Sequence, residues 1–367
     1  MRIGILTLHS QLNYGGVLQS LALQTALEKL GHDVVVLDWW FSENNYRLIG
    51  SYKKWGFRRW VAFLVRAFLG CGDLGLFLRH LKTRLYIKRN LNLTPYSFYC
   101  WSEFPSSAHL DRIVVGSDQV WHSGDWGYIE TTLLEAAPNI QAISYAASFG
   151  MPCLPEDYRE SYRRGFQRFR AISCREMEGV RIVNELGYNA THVVDPTLLS
   201  YVPKNYADSE NRLVCYFLKI PPKSVLPILK SFCKARHCFV DIFVDPFTPI
   251  QWMHPNMRIK IHYSASPKEF LAFIKKGRWI LSDSFHGLMF SAKYRKNVRI
   301  VRPKTQDRAI MFARIEEFSS RFTHGSVIVD SVDDAIRSFL RNECTEWKCA
   351  ELYKWVEASN RWLQENI

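Results

Sequence analysis

Residues 3–37 read IGILTLHSQLNYGGVLQSLALQTALEKLGHDVVVL, in the order strand, loop, helix, strand. Ile3–Leu8 is a short apolar run, and Val17–Leu30 carries apolar side chains at nearly helical spacing. Gly31 suits the left-handed end of a helix, and Val34–Leu37 is again apolar and β-branched. Because parallel strands need such a helical crossover, this stretch predicts a parallel α/β domain at the start of the chain.

The same alternation continues beyond residue 100 and starts again after residue 210, while Asp195-Pro196 and the polar run 203–211 separate the two series. With 367 residues and 47% hydrophobic content, the chain is long enough for two cores. We therefore predict an α/β protein with two Rossmann-like parallel-sheet domains whose strand ends face a central cleft. The domains are residues 1–202 and 203–345, followed by a C-terminal amphipathic helix at 346–367. The further predicted strands are Ile113–Val115, Ala142–Tyr145, Ala171–Cys174, His192–Val194, Leu213–Phe217, Phe239–Val244, Trp279–Leu281, Val298–Val301 and Val327–Val329.

The net charge of +13 is concentrated in one segment of the first domain. Residues 46–90 contain eleven arginines and lysines against the single acid Asp73, which gives +10. The segment is also rich in Trp, Phe and Leu, but Arg66 and Asp73 interrupt any stretch that could cross a bilayer. We predict a basic, aromatic helical insertion that lies on an anionic membrane surface. A solvated basic insertion and a nucleic-acid patch are the alternatives; no RNA- or DNA-binding motif supports the latter, so no nucleic-acid partner is expected.

The cysteines and the N-terminal residues indicate the cellular compartment that the sequence predicts. Nine cysteines without a CxxC pair fit free thiols in a reducing environment and show no zinc-ligand spacing. The N-terminal apolar run ends after one strand's length, which is too short for a signal peptide. We expect a cytoplasmic protein, peripheral at the inner membrane face where its insertion binds lipid. No cofactor and no metal site are predicted, and the question of an added divalent cation stays open.

The loop Ser282–Gly287, SDSFHG, follows the apolar run Trp279–Leu281 and precedes a helix-compatible stretch. Amides from Ser284 to Gly287 would lie at a helix N-terminus, where unpaired donors and the helix dipole favour anions. An imidazole at His286 would there neutralise a phosphate or transfer a proton. A capped helix with a histidine that merely packs explains this loop alone equally well.

Two loops of the first domain could contact a second ligand. Asn13–Gly16 ends at a helix start, and the paired Gly15 and Gly16 would let backbone amides approach closely. The dinucleotide spacing GxGxxG is absent, and a tight turn is the alternative. Asp118 and Gln119 follow a β-branched strand, where a carboxylate can accept from a sugar hydroxyl and act as a base beside the apolar face of Trp121. Their alternative is a helix cap with a core tryptophan.

Arg175 comes directly after another predicted strand, in the segment Ser173–Glu176. Its planar guanidinium suits bidentate recognition of a phosphate or a carboxylate. On its own, this segment is better explained by an exposed ion pair between Arg175 and Glu176, since such pairs are common.

Taken together, six segments resemble, in order, the polysaccharide pyruvyl transferase family. They span residues from about 3 to 300. Two departures concern the acceptor side: His122 stands where we expect Asn, and Gly16 where Ala is common. The segments are Asn13–Gln19, Gly116–Trp121, Ser144–Gly150, Ser173–Glu176, Val194–Thr197 and Ser282–Gly287.

The resemblance implies a GT-B-like pair of Rossmann-type domains and pyruvyl transfer from phosphoenolpyruvate to a sugar as a cyclic ketal. It also implies that Arg175 and His286 act on phosphoenolpyruvate. The expected acceptor is a surface polysaccharide or its lipid-linked precursor. A nucleotide-sugar-dependent GT-B glycosyltransferase and a non-catalytic sugar-binding or membrane scaffold protein are the alternatives. The expected site residues are His286, Arg175 and Asp118 for catalysis, Arg175, Ser284, His286 and Gly287 for the donor, and Asn13, Gly15, Gly16, Asp118 and Gln119 for the acceptor.

Overall fold

The computed structural model describes residues 1–11, 13–40, 73–105, 109–123, 129–202, 209–218, 220, 222–244, 258–303 and 306–367. The first domain is built on a seven-stranded sheet in the order β3-β2-β1-β4-β5-β6-β7, in which all neighbours run parallel. Its strands are β1 (Arg2–Leu6), β2 (Asp33–Trp39), β3 (Leu93–Phe98), β4 (Arg112–Val115), β5 (Gln141–Ser144), β6 (Phe169–Cys174) and β7 (Ala190–His192).

The second domain contains a six-stranded sheet in the order β10-β9-β8-β11-β12-β14, again with parallel neighbours. The predicted α/β class with two parallel-sheet domains is thus confirmed. Its strands are β8 (Glu210–Phe217), β9 (Phe239–Val244), β10 (Ile259–His262), β11 (Gly277–Ser282), β12 (Asn297–Val301) and β14 (Ile328–Val329). A small antiparallel pair joins β13 (Thr323–His324) to β15 (Glu346–Trp347).

Helices connect these strands, and their ends follow from capping residues. Asn13 caps the first helix by accepting a hydrogen bond from Gly15 N. Ser266 and Glu269 form a capping box, with Pro267 in the first turn of its helix. The described helices are α1 (Tyr14–Lys29), α2 (Asp73–Asn90), α3 (Ile129–Thr132), α4 (Arg159–Phe166), α5 (Met177–Glu185), α6 (Pro222–Arg236), α7 (Pro267–Lys276), α8 (Phe285–Lys293), α9 (Gln306–Phe322), α10 (Val332–Leu340) and α11 (Cys349–Asn366). Among these helices, none is long and apolar enough to cross a membrane.

Several boundaries differ from the prediction. The strand expected at His192–Val194 lies two residues earlier, as β7, because pairing with β6 ends at His192. The small pair β13 and β15 was not predicted, and neither were two strands of the large sheets: β3, which carries Pro95, and the four-residue β10. Both lie at sheet edges, where proline is tolerated and the hydrophobic pattern is weak. Of the predicted insertion at 46–90, α2 covers the last part. Residues 41–72 lie outside the described residues, as do residues 203–208 of the polar run 203–211 at the predicted domain boundary.

The two domains share one apolar core. Tyr14, in the first turn of α1, stacks on Phe270 of the second domain with 4.5 Å between ring centroids. Its hydroxyl donates a hydrogen bond to Ala265 O at 2.9 Å. Helix α11 returns to the first domain, where Ser359 Oγ accepts a hydrogen bond from Val194 N at 3.0 Å. These contacts hold the strand-end loops of both sheets against each other.

Candidate active site at the domain interface

The loop after β4 brings Asp118 to the domain interface. Asp118 has a φ of 73°, a left-handed conformation that Asp and Asn adopt more readily than most residues. Its Oδ1 accepts hydrogen bonds from Gln119 N at 3.0 Å and from an Arg175 guanidinium nitrogen at 3.2 Å. The side chain is partly exposed, so one face of this carboxylate is open to a ligand.

Arg175 lies at the centre of a buried charge cluster. Its guanidinium is 3.2 Å from Asp118 Oδ1, 3.2 Å from Asp195 Oδ2 and 3.6 Å from Glu176 Oε2. Burial disfavours the charged form, but these carboxylates outweigh burial and raise the pKa of Arg175. The side chain is 0% exposed, so the alternative of an exposed pair with Glu176 is wrong. The planar fork is directed at carboxylates of the protein itself.

Asp195 joins the two halves of the site, and sequence reasoning did not include it among the site residues. Its Oδ1 accepts from Thr197 N and Thr197 Oγ1, which caps the short 3-10 helix Pro196–Leu198. Its Oδ2 accepts from Ser117 Oγ and Arg175 at 3.2 Å each. Burial would raise the pKa of Asp195, yet His286 and Arg175 hold it below the usual value. The DP motif after a strand was the available signal, but it was interpreted as part of a domain boundary.

His286 is the second residue of α8 and comes from the other domain. Its Nε2 lies 3.8 Å from Asp195 Oδ2 and has no hydrogen-bond partner among the described residues. Burial, reinforced by the charges of Arg175 and Arg314, lowers the pKa of His286 against the opposing effect of Asp195 and Asp118. The imidazole is therefore mostly neutral at pH 7, and an unpartnered nitrogen of this kind is ready to bind a ligand.

The loop before His286 is rigidly tied to β8. Ser282 Oγ donates to Tyr216 O at 2.6 Å and accepts from Ser284 N at 3.1 Å. Gly287 faces inward, since a methyl group added there would lie 2.3 Å from Ser282 Oγ. Ser284 is the N-cap of α8 but makes no side-chain cap bond. The helix N-terminus predicted for this loop is present, and its own serine side chain does not cap it.

Gly15 and Gly16 lie in the first turn of α1, so the tight-turn alternative is wrong. A methyl group added at Gly15 would lie 2.1 Å from His286 Nδ1, and one at Gly16 would lie 2.9 Å from Leu8 O and 3.4 Å from Asp118 Oδ2. The glycine pair thus lets α1 approach His286 and Asp118 closely. The Asn13 side chain is used to cap α1 and is 3.4 Å from the Tyr216 hydroxyl of the other domain.

The residues after Asp118 lie deeper. Trp121 is fully buried and packs on Phe149 and Phe166, with ring centroids 5.4 Å and 4.8 Å away. The idea that Trp121 offers its face to a sugar is therefore wrong, and its alternative as a core residue is correct. His122, the departure from the family pattern, places Nδ1 2.9 Å from Phe149 O. Gln119 is buried beside the backbone of Gly150.

A second arginine at the site was not predicted from the sequence. Arg314 of α9 is partly exposed and lies over the Phe285 ring, with its guanidinium carbon 5.1 Å from the ring centroid. Arg175 contacts the same ring at 4.7 Å. Arg314 is in the middle of a helix and outside every quoted motif, so local pattern carried no signal for it. Across the described ranges, no group of three or more His, Cys, Asp or Glu side chains is placed to hold a metal ion.

Comparison with known proteins adds the fold and the family. The chain is similar to UDP-GlcNAc 2-epimerase from Methanocaldococcus jannaschii, with 12% identity, a TM-score of 0.52 and complete coverage of both chains. A structure of that enzyme with UDP-GlcNAc and UDP gives 12% identity and a TM-score of 0.51, covering 100% of this chain and 99% of the other. At such identity the likeness shows the fold alone, a GT-B arrangement of two parallel-sheet domains.

Among proteins with curated functions, none matches this sequence. The model of the family described as polysaccharide pyruvyl transferase matches residues 13–305. That range contains Asp118, Arg175, Asp195 and His286, which the fold brings into one cluster at the domain interface. On this match, the chain belongs to the polysaccharide pyruvyl transferase family.

Proposed function

We propose that this protein transfers the pyruvyl group of phosphoenolpyruvate to two hydroxyls of a sugar, forming a cyclic ketal and releasing phosphate. Family membership supports a transferase that modifies a polysaccharide. The observation that carries the donor assignment is the unpartnered Nε2 of His286, held at the N-terminus of α8 beside Asp195. A phosphate there would receive a hydrogen bond from the imidazole and favourable interaction with the helix dipole.

The atom balance of the reaction defines what the site must do. Two sugar hydroxyls lose their protons as two C–O bonds form at C2 of the donor. One proton is gained by C3, which becomes a methyl group, and the other is carried away by phosphate as the C2–O–P linkage breaks. The site therefore needs a base near the hydroxyls and a proton donor near the enol.

Asp118 and His286 fit these two roles in the proposal. Asp118 has a partly exposed carboxylate whose Oδ1 is fixed by Arg175, so its orientation is set before a sugar binds. His286 is neutral in the free protein. A bound phosphate dianion would raise the pKa of the imidazole, and the protonated imidazole could then donate its proton on the phosphate side of the donor. Arg175, fully buried, positions Asp118 and Asp195.

The test is acceptor-dependent release of phosphate from phosphoenolpyruvate across a panel of synthetic and lipid-linked sugars. The expected product shows a ketal methyl signal in its NMR spectrum. A product that retains the alkene would indicate enolpyruvyl transfer instead. Consumption of a nucleotide sugar without phosphate release from phosphoenolpyruvate would identify a glycosyltransferase. Donor binding without any turnover would indicate a sugar-binding scaffold.

We further propose that the acceptor is lipid-linked and that α2 holds the protein on an anionic membrane. Arg79 anchors α2 between the domains, because it donates to Val244 O and stacks on the Tyr14 ring at 4.1 Å. Leu78, Leu81 and Leu85 are 39%, 44% and 49% exposed and share one helical face. An exposed leucine stripe within a segment of charge +10 is typical of a membrane-surface helix.

A further inference from the structure

The cluster around Arg175 is poorly suited to attract an anionic donor by itself. Asp118, Glu176 and Asp195 place three carboxylates around one guanidinium. Arg175 has no exposed surface, so a ligand can reach it only if these pairs are broken. Breaking a buried ion pair leaves uncompensated charge and is strongly unfavourable. A donor with both phosphate and carboxylate therefore needs a further cation at this site.

Arg314 is placed to supply that cation. It makes no ion pair with a carboxylate in the part of the chain that the structure describes, and its Nε has no hydrogen-bond partner there. One terminal nitrogen donates to Ser148 Oγ at 3.4 Å, near the upper limit for a hydrogen bond. Among the described residues, Arg314 thus makes one long hydrogen bond to a hydroxyl, whereas Arg175 makes two hydrogen bonds to carboxylates.

Arg314 also contacts Phe285, which lies beside His286. Its guanidinium stacks over Phe285, whose ring centroid is 5.6 Å from that of His286. Burial is the main reason that the pKa of His286 is lowered, and the positive charges of Arg175 and Arg314 act in the same direction. Burial, followed by the nearby charge of Arg175, lowers the pKa of Arg314 to about 10, so it remains charged at pH 7. Arg314 and the α8 N-terminus can therefore act on the same anion.

We propose that Arg314 is the arginine that binds the anionic donor directly through its guanidinium fork, while Arg175 acts as a positioning residue for Asp118 and Asp195. The assignment rests on the proposed pyruvyl transfer, and it names a residue beyond the range matched by the family model, which ends at residue 305. The ligand chemistry is a phosphate or carboxylate, which a planar guanidinium recognises bidentately.

The test measures binding of phosphoenolpyruvate and of inorganic phosphate by calorimetry, without acceptor. We expect Arg314→Met to raise the Kd for phosphoenolpyruvate at least about 10-fold, the equivalent of 1.4 kcal/mol, and Arg314→Lys to show a smaller loss. In turnover, Arg314→Met should raise KM for phosphoenolpyruvate more than it lowers kcat. Arg175→Met should instead lower kcat and Tm. Arg321→Met is the matched control, because Arg321 lies on the same helix and stacks on Trp355 at 4.6 Å.

Unchanged affinity of Arg314→Met for phosphoenolpyruvate would overturn the assignment, even if its Tm fell. If Arg314→Met does not fold, Arg314→Lys decides, because a point charge cannot reproduce the fork; wild-type affinity in that variant would also overturn the assignment. If the wild-type protein binds neither phosphoenolpyruvate nor phosphate, the proposed function and this assignment fail together. Binding by the wild type with no loss in Arg314→Met leaves the proposed function intact and refutes only the role of Arg314.

Discussion

Gly15 and His286 come from different domains, and the backbone of one lies against the ring of the other. A methyl group at Gly15 would lie 2.1 Å from Nδ1, 2.4 Å from Cγ and 2.7 Å from Cε1 of the imidazole. No side chain fits at that distance, so the ring would have to move. The glycine is thus explained by contact with a catalytic candidate 271 positions away in sequence (286 minus 15).

The first prediction concerns this contact. Gly15→Ala should displace the His286 ring and lower kcat about 10-fold or more, because a misplacement near 1 Å at a reacting group can cost on the order of 100-fold. Steady-state turnover and Tm are the measurements. Gly179→Ala is the control, since a methyl group there meets nothing closer than 3.1 Å. Wild-type kcat in Gly15→Ala would contradict the close packing of His286.

His286 also predicts a pH dependence of donor binding. The pKa of the free imidazole is lowered below 6.5 by burial, and a bound phosphate dianion would raise it. Between these two pKa values binding takes up a proton, so phosphoenolpyruvate affinity should fall as pH rises through the pKa of the complex. Calorimetry in buffers of different ionisation enthalpy measures the uptake. His286→Asn should reduce the proton uptake on binding, whereas the contribution from titration of the ligand itself is the same in both proteins. Undiminished uptake in His286→Asn would exclude protonation of His286 by the bound donor.

At the scale of single elements, α8 and α2 differ in their surroundings: the N-terminus of α8 is buried at the domain interface, whereas one face of α2 is exposed. The N-terminus of α8 is tied to β8 through Ser282 and carries His286 against Gly15 and Asp195 of the first domain. The exposed face of α2 carries Leu78, Leu81 and Leu85, while Arg79 on the buried face reaches the second domain. In the proposed function, the N-terminus of α8 would bind the donor, and the exposed face of α2 would lie on the membrane surface.

A membrane-binding prediction belongs to α2. Changing Leu78, Leu81 and Leu85 together to Ser should reduce flotation with anionic liposomes, because each leucine contributes apolar area to insertion. Reversing the charges of Lys53, Lys54, Arg58 and Arg59 should also reduce flotation, most strongly at low salt. Neutral liposomes and retained Tm are the controls. Equal flotation of all variants, or none by the wild type, would refute membrane binding.

For the whole molecule, the domain interface carries buried titratable groups as well as the site. His192 is largely buried, donates to Arg175 O at 3.2 Å and lies beside Trp355 of α11. Burial is the main reason that its pKa falls from 6.5 to about 4, with Arg321 acting in the same direction. Its protonation is thus coupled to the packing of α11 against the first domain.

The resulting prediction is a loss of stability in mild acid. The unfolded chain binds a proton at His192 below pH 6.5, whereas the folded chain resists protonation down to about pH 4. The contribution of neutral, buried His192 to the free energy of unfolding is complete above pH 6.5. It is lost as pH falls from 6.5 towards 4, and the loss is about 2 kcal/mol at pH 5. Denaturant unfolding at pH 7.5 and pH 5 measures it. His192→Gln should flatten the pH dependence, and an unchanged slope would contradict the burial effect.

The residues at the candidate site differ in how well they could be predicted from the sequence. Asp118 and His286 were predicted as site residues because each follows a strand, and parallel strands bring their ends to one edge; that role stays a prediction. Trp121 was misjudged because an aromatic residue after a strand gives no local indication of whether its face is open or packed. Asp195 was seen as a motif but not as a site residue, since its role depends on contacts with Arg175 and His286. Arg314 left no local signal.

The sequence by itself determined the class of fold, the order of the motifs and the family, because hydrophobic periodicity and strand-end loops are local properties of the chain. Only the tertiary structure decided which charges neutralise one another. It buried Arg175 among carboxylates, placed His286 against Gly15 and left Arg314 without an acidic partner among the described residues. Burial and pairing arise from residues distant in sequence, and the free energy of a charge depends on both.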